Sequence, residues 1–300
     1  MTTQALIISQ SLVFNAICYP TDAVRDVLAK LDVSKKPGPD GIPNIFFSHC
    51  AESLCVPITQ LINKSLLDGI YPDALKSTFV TPIFKAEDLK KAENYRPVAI
   101  SNSLALIFEK LVYAQLMPAA QDIISKYQHG FFPGRSTITN LTILTDIISS
   151  ALDRGKQVDV IYTDISKAFD RIDHEILCRK LTQLGIHPNL IKWFFSYLTE
   201  RKQYIVLDGH VSSFYVPTSG VPQGTILGPL AFSLYINDLP PLFNSACLLY
   251  ADDLKLYRTI ELLADCELLQ NDIDVLQNWC KDNKLSLNVS KCCFLEDLIP

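Results

Sequence analysis

The stretch CLLYADDLKLY, residues Cys247 to Tyr257, places two adjacent acids, Asp252 and Asp253, inside an apolar run. The alternation after the pair favours a strand, a two-residue turn and a second strand, and an Asp pair in such a turn needs no function. The alternative is a metal site, because like charges at an apolar hairpin tip repel unless a hard cation such as Mg²⁺ lies between them. The stretch alone leaves both interpretations open. The metal site also requires a third carboxylate from elsewhere in the chain.

Asp164 is the candidate for that third carboxylate. It ends the segment QVDVIYTDI, in which Val158, Val160, Tyr162 and Asp164 share one face of a predicted strand. A helix is predicted to begin directly after it. A carboxylate at a strand end beside a helix N-terminus is well placed to hold a metal ion near a phosphate.

Composition limits the class of protein. The chain has 300 residues, 48% of them hydrophobic, which is enough for one large domain or two smaller ones. No apolar run is long enough to cross a bilayer, and the N-terminus lacks the basic start of a signal peptide, so we expect an intracellular protein that does not contact membranes. The nine cysteines form no CxxC pair and are expected to be reduced thiols. A net charge of −5 lowers the expectation of nucleic-acid binding without excluding it, because a cleft can be locally basic.

Hydrophobic periodicity predicts interleaved helices and strands, and therefore an α+β or mixed α/β protein. Helices are expected over residues 21–31 with Thr21 as N-cap, 44–67 with an interruption at Pro57, 139–154, 166–185, 224–243 and 261–285. Residues 94–124 are expected to form an extended entry into a long helix. Strands are expected over residues 77–88, 157–165 and 284–297, with two hairpins, one around Asp208-Gly209 and one at the acid pair.

Seven ordered motifs carry a family resemblance. The segments YTDISKAFDRIDH, SGVPQGTILGPLAFSLYINDLP and LLYADDLKLY, in that order, resemble the reverse transcriptase domain of non-LTR (LINE-type) retrotransposons. Upstream, GPDGIP, PIFKAED…NYRPVAISN…FEKLV and QHGFFPGRST are similar to its finger motifs, and NWCKDNKLSLNVSKC to its last palm motif. The resemblance extends from about Lys35 to Cys293.

The resemblance implies an α+β right-hand polymerase with fingers and palm, in which an antiparallel palm sheet packs on helices. The expected division is a lead-in at residues 1–34, a fingers-type region at 35–157 and a palm-type region at 158–300. On this expectation the sequence stops before the thumb. The thumb and endonuclease regions would belong to a longer element protein.

The same resemblance assigns roles to individual residues. Asp164, Asp252 and Asp253 would bind two Mg²⁺ ions, with Mn²⁺ as a substitute, and Lys291 would protonate the leaving pyrophosphate. The nucleotide-binding candidates are Lys85, Arg96, Gln223 and Phe169, the last as a gate against the ribose 2′-hydroxyl. The template and primer candidates are Gln128, Phe131, Arg135 and Gly224. Structural alternatives remain open for five of these residues: a solvated surface charge for Lys85 and Arg96, a helix-start loop for Gln223, an exposed edge-strand lysine for Lys291 and a core position for Phe169.

The leading functional prediction is an RNA-directed DNA polymerase that extends a DNA primer on an RNA template with dNTPs. A catalytically silent remnant that binds RNA or protein is the alternative from another class. A polymerase similar to group II intron maturases or telomerase would share the acids but fits the GVPQGTILGPLAFSLYINDLP segment less well.

Overall fold

The computed structural model describes residues 18–85 and 88–297, which form two four-stranded sheets surrounded by helices. The strands are β1 (Ser77–Phe84), β2 (Tyr95–Ser101), β3 (Gln157–Asp164), β4 (Lys202–Leu207), β5 (His210–Val211), β6 (Ala246–Tyr250), β7 (Asp253–Ile260) and β8 (Cys293–Asp297). The helices are α1 (Thr21–Ala29), α2 (Asn44–His49), α3 (Ala51–Asp68), α4 (Ser103–Ile123), α5 (Thr137–Leu152), α6 (His174–Gln183), α7 (Pro188–Leu198), α8 (Leu227–Ile236) and α9 (Leu263–Asp282). Among the described residues, no helix is both long enough and apolar enough to cross a membrane.

The first sheet, which we call the fingers sheet, has the strand order β2-β1-β4-β5. β1 pairs antiparallel with β2 but parallel with β4. A parallel neighbour requires a long crossover, and here the chain passes through the whole of β2 to α7 before β4 returns. The fingers sheet therefore draws strands from both sides of the boundary expected between residues 157 and 158.

The second sheet, the palm sheet, is antiparallel throughout, with the order β6-β7-β3-β8. Its two faces separate as period-2 alternation predicts. Leu249, Leu254 and Leu256 enter the large core built by most of the helices. Val158 and Val160 enter a smaller core on the opposite face, beneath α5. The acids Asp164 and Asp253 lie at the end of this sheet.

A buried polar network joins α4, α7 and the start of α8. Glu109 is 1% exposed, and its carboxylate accepts hydrogen bonds from the Tyr197 hydroxyl at 3.0 Å and the Ile226 backbone N–H at 2.7 Å. Burial raises the pKa of Glu109, whereas the guanidinium of Arg201 opposes that rise. Arg201 in turn donates to the Thr78 hydroxyl of β1 at 2.8 Å. The network fixes the loop before α8 relative to the fingers sheet.

Two predicted helices are divided in the structure. The segment expected as one helix over 44–67 forms α2 and α3, with the break at Cys50, while Pro57 lies inside α3. The segment expected as one helix over 166–185 begins as a 3-10 turn at Ala168–Arg171, and α6 starts after Asp173, whose side chain accepts from Ile176 N–H at 2.9 Å. An N-cap acid that satisfies a free backbone N–H favours a new helix start at that position.

The structure differs from the predicted elements in four smaller ways. Pro20, not Thr21, is the N-cap of α1. α7 was not predicted from the sequence, although its buried face includes Trp193 and Tyr197. The strand expected over 284–297 is reduced to β8, preceded by a 3-10 turn at Val289–Lys291. α5 begins two residues before the expected Thr139, because Ser136 and Thr139 form a capping box.

Candidate active site

The acids lie at the tip of the palm sheet. Asp164 is the last residue of β3 and Asp253 the first of β7, and the two are direct cross-strand partners. Residues paired in this way have Cβ atoms about 4.5–5.5 Å apart. Asp252 precedes Asp253 in the turn and is half-buried. The predicted hairpin and the proximity of Asp164 to it are therefore confirmed.

The electrostatics reflect this crowding. Burial raises the pKa of Asp252, and the carboxylates of Asp253 and Asp164 raise it further. The pKa of Asp253 is also raised, first by burial and then by Asp164. Lys291 opposes both shifts. A site that disfavours its own negative charge is one in which added positive charge is stabilising.

Two groups from the segment before β8 hold Asp164. The ammonium of Lys291 lies 3.4 Å from Asp164 Oδ2. The Asn288 side-chain amide donates to the same oxygen at 3.0 Å, and the Asn288 backbone N–H donates to the Asp164 carbonyl at 2.8 Å. Lys291 was predicted at this site, but Asn288 was not. The only sequence signal for Asn288 was its place inside the last palm motif.

The donor chemistry suits a hard divalent cation, since clustered carboxylate oxygens are the ligands that Mg²⁺ takes. However, among residues 18–85 and 88–297 no three Asp, Glu, His or Cys side chains are gathered into a ready-made metal site. The expected convergence of Asp164, Asp252 and Asp253 on one metal site therefore stays a prediction. In the structure, the Asp164 side chain is directed to Lys291 and Asn288. A cavity of about 440 Å³ opens beside Asp164, Asp253 and Lys291.

Phe169 and Gln223 meet at the 3-10 turn that follows β3. Phe169, in the 3-10 turn after β3, is half-buried, and its ring stacks on Phe232 with centroids 4.7 Å apart. The Phe169 carbonyl accepts from Val221 N–H at 2.8 Å. Gln223 donates through Nε2 to Asp170 Oδ1 at 2.7 Å. The loop before α8 therefore runs directly alongside the 3-10 turn.

Phe131 extends this aromatic group toward solvent. Its ring is 48% exposed and meets Phe169 edge-on, with centroids 5.9 Å apart. Its φ of 63° lies in the left-handed region, which is uncommon for an aromatic residue. Phe131, Phe169 and Phe232 thus form a continuous row of rings from the surface to the core.

Lys85 and Arg96 lie on the other sheet. Both side chains are exposed on the β1–β2 hairpin, where Arg96 is paired with Ile83. Strand β2 of this hairpin is bonded to the loop before α8, since Ala99 N–H donates to the Gln223 carbonyl at 2.7 Å. The two cations are therefore placed on the fingers sheet, apart from the acid-bearing tip of the palm sheet.

Three of the four predicted template residues contact other parts of the protein, and one of them, Gln128, is buried. Gln128 is 2% exposed and bonds the Ala251 backbone. Arg135 donates to the carbonyls of Ser125 and Gln128 at 2.9 and 2.5 Å. Gly224 has a φ of +95°, and a Cβ there would lie 3.1 Å from the Ala99 carbonyl, so its backbone approaches β2. The burial of Gln128 does not agree with a template contact through its side chain. Gly130, which was not predicted, lies against the same Ala251 backbone.

The fold matches that of a solved polymerase. An apo telomerase from Candida tropicalis, truncated from its C-terminal domain, superposes with a TM-score of 0.55 over 77% of this chain and 52% of that one, at 11% identity. At this level of identity the superposition shows a shared fold.

The family follows from sequence comparison. The family model described as Reverse transcriptase (RNA-dependent DNA polymerase) matches residues 88–298, and the chain belongs to this family. It is 29% identical to the RNA-directed DNA polymerase from mobile element jockey of Drosophila melanogaster, over 90% of this chain and 31% of that protein. It is 28% identical to a probable RNA-directed DNA polymerase from transposon BS of the same organism, over 93% of this chain and 32% of that protein. The resemblance to non-LTR reverse transcriptases is confirmed, and the chain spans about a third of the length of these relatives.

Proposed function

We propose that this chain catalyses the template-directed addition of dNTPs to the 3′-hydroxyl of a DNA primer paired to an RNA template. The observation that carries the proposal is the direct cross-strand pairing of Asp164 with Asp253, beside Asp252, in a member of the reverse transcriptase family. Membership in the family supports the reaction class. The proposal for this chain rests on its own acids.

Asp164, Asp252 and Asp253 are the groups that would hold Mg²⁺ or Mn²⁺. When bound, such ions supply positive charge that favours the deprotonated 3′-hydroxyl and neutralises the triphosphate. The raised pKa values of Asp252 and Asp253 show that the folded protein disfavours this density of negative charge. Positive charge at the site therefore relieves a repulsion that is already present.

In the reaction, the primer 3′-hydroxyl loses its proton to solvent water, and its oxygen forms a bond to the α-phosphorus as the bond from that phosphorus to the bridging oxygen breaks. Pyrophosphate leaves with that oxygen, which then takes up a proton. Lys291, whose side chain is 65% exposed and whose ammonium lies 3.4 Å from Asp164, is the proposed proton donor. Asn288 keeps Asp164 oriented through its amide.

The remaining residues select and position substrates. Phe169, held between Phe131 and Phe232, is the proposed barrier to a ribose 2′-hydroxyl, and a ring packed in this way resists displacement. Gln223, which bonds Asp170 next to Phe169, is the proposed contact to the nascent base pair. The exposed Lys85 and Arg96 on the β1–β2 hairpin are the proposed contacts to the triphosphate, since Arg offers phosphate a two-pronged donor and Lys a point charge.

Primer extension with the purified chain tests the proposal. A labelled DNA primer on an RNA template, with dNTPs and Mg²⁺, should be extended by the wild-type chain. It should not be extended by Asp164→Asn or Asp253→Asn, two variants that preserve side-chain size. Circular dichroism and a thermal melt establish that both variants are folded.

A wild-type chain that is folded but extends no primer in Mg²⁺ or Mn²⁺ would overturn the proposal. Extension by Asp164→Asn at the wild-type rate would do the same. In the first case, a filter-binding measurement with the same RNA template would show whether the chain is a silent binding module.

A further inference from the structure

The residue before the acid pair has an unfavourable backbone conformation. Ala251 has a φ of +57°, in the left-handed region that residues other than glycine seldom adopt. Its side chain is 6% exposed. Because Ala251 directly precedes Asp252, its backbone angles set the direction in which the chain presents both acids. Something in the surrounding structure must hold the turn in this conformation.

The buried side chain of Gln128 contacts this turn at both backbone polar groups. Its Oε1 accepts from Ala251 N–H at 2.9 Å, and its Nε2 donates to the Ala251 carbonyl at 3.2 Å. The same Oε1 accepts from Gly130 N–H at 2.8 Å. The amide thus forms with Ala251 the pair of bonds that a neighbouring strand would otherwise provide.

The backbone around Gln128 is fixed by the palm sheet. Leu249 N–H donates to the Tyr127 carbonyl at 2.9 Å, and His129 N–H donates to the Leu249 carbonyl at 2.8 Å. Residues 127–129 therefore run beside the edge strand β6. Gly130 lets the two backbones approach closely, because it has no Cβ. A Cβ at this position would lie 2.9 Å from Ala251 Cα and closer still to the Ala251 nitrogen.

We propose that Gln128 is a positioning residue that holds Ala251 in its left-handed conformation and so fixes the orientation of Asp252 and Asp253. The inference rests on the proposed polymerase function for its catalytic consequence, but the hold on the turn is a property of the folded chain alone. A side chain 2% exposed, with both amide atoms bonded to the protein, acts on the reaction through the turn and not by touching the template.

Hydrogen exchange measures the turn directly. Gln128→Met preserves side-chain length and removes all three hydrogen bonds. We expect amide exchange in a peptide covering 247–257 to accelerate about tenfold or more, as the loss of buried hydrogen bonds implies. A peptide covering 157–163 in β3 should keep its wild-type protection. Gln183→Met, at an exposed position of α6, is the matched control and should change neither peptide.

Primer extension measures the consequence for chemistry. In Gln128→Met the kcat should fall roughly ten- to hundredfold, with KM for the dNTP within about twofold, since the substrate contacts remain. Ala251→Gly added to Gln128→Met should recover part of the lost kcat, because glycine adopts a positive φ without steric cost.

Exchange at 247–257 equal to wild type in folded Gln128→Met would refute the hold on the turn. An unchanged kcat would refute its role in the reaction. Should Gln128→Met fail to fold, Gln128→Glu is tested in its place, because it keeps the oxygen acceptors and loses the amide donor to Ala251. Gln128→Glu must then show both faster exchange at 247–257 and a lower kcat, each to a smaller extent. If the wild-type chain extends no primer, the proposed function fails, while the exchange result still decides whether Gln128 holds the turn.

Discussion

Replacement of Phe169 by valine separates a nucleotide gate from a core residue. The structure gives the ring two aromatic neighbours, Phe232 at 4.7 Å and Phe131 at 5.9 Å between centroids. Each such pair contributes about 0.5–1.5 kcal/mol beyond simple burial. Phe169→Val therefore loses roughly 1–3 kcal/mol of stability, which lowers the melting temperature of a chain of this size by several degrees.

The gate also predicts a change in the ratio of rNTP to dNTP use, which is independent of stability. A ring that must yield to a 2′-hydroxyl imposes an overpacking cost of about 1–3 kcal/mol, or roughly ten- to hundredfold discrimination between dNTP and rNTP. Single-nucleotide extension with matched dNTP and rNTP measures this ratio. Phe169→Val should raise relative rNTP use by about tenfold or more, while dNTP use falls modestly.

The control for Phe169→Val is Phe243→Val. Phe243 is also half-buried against the large core but lies after α8, in the turn that follows Pro240–Leu242. It should lower the melting temperature without altering the rNTP-to-dNTP ratio. An unchanged ratio in folded Phe169→Val, or an equal change in both variants, would refute the gate and leave Phe169 as a core residue.

Three further predictions concern the acid-bearing tip. Gly130→Ala places a Cβ against the Ala251 backbone and should lower primer extension more than about tenfold; extension at the wild-type rate would show that the turn can move aside. Asn288→Ala removes a hydrogen-bond donor to Asp164 and should lower kcat by about five- to tenfold. Asn271→Ala, at an exposed position of α9, should leave kcat unchanged, and equal effects of the two changes would contradict the role of Asn288 in orienting Asp164. Because the folded-state pKa of Asp253 is raised, its charge opposes folding above that pKa, so Asp253→Asn should raise the melting temperature at neutral pH in EDTA. That gain should disappear as the pH falls below about 4, where the wild-type carboxyl is protonated in both states, and a gain that is constant with pH would exclude a charge effect.

Local pattern in the sequence determined much of the palm. The alternation around the acid pair predicted the β6–β7 hairpin, and the alternation ending at Asp164 predicted β3 with the correct residues on each face. Both predictions depend on the period-2 geometry of a strand, which is a property of neighbouring residues. The choice of Asp164 as the third acid followed from its place at a strand end and from the family resemblance, whereas its direct pairing with Asp253 is given by the structure.

The tertiary structure decided the features that depend on residues far apart in the chain. β4 joins the fingers sheet beside β1, because parallel strands pair through a long crossover that local periodicity does not encode. The capping acid Asp173 divides a segment whose apolar spacing alone predicted one helix.

The hydrogen-bond partners of several polar residues also depended on the tertiary structure. Gln128 and Arg135 were predicted to contact a template, but their side chains bond backbone groups of the protein itself. Asn288 carried no signal of its own, yet it orients Asp164. The physical reason is that the sequence around a hydrogen-bonding side chain is the same whether its partner is a ligand or a peptide group far away in the chain. The partner is fixed when the chain brings residue 128 beside residue 251.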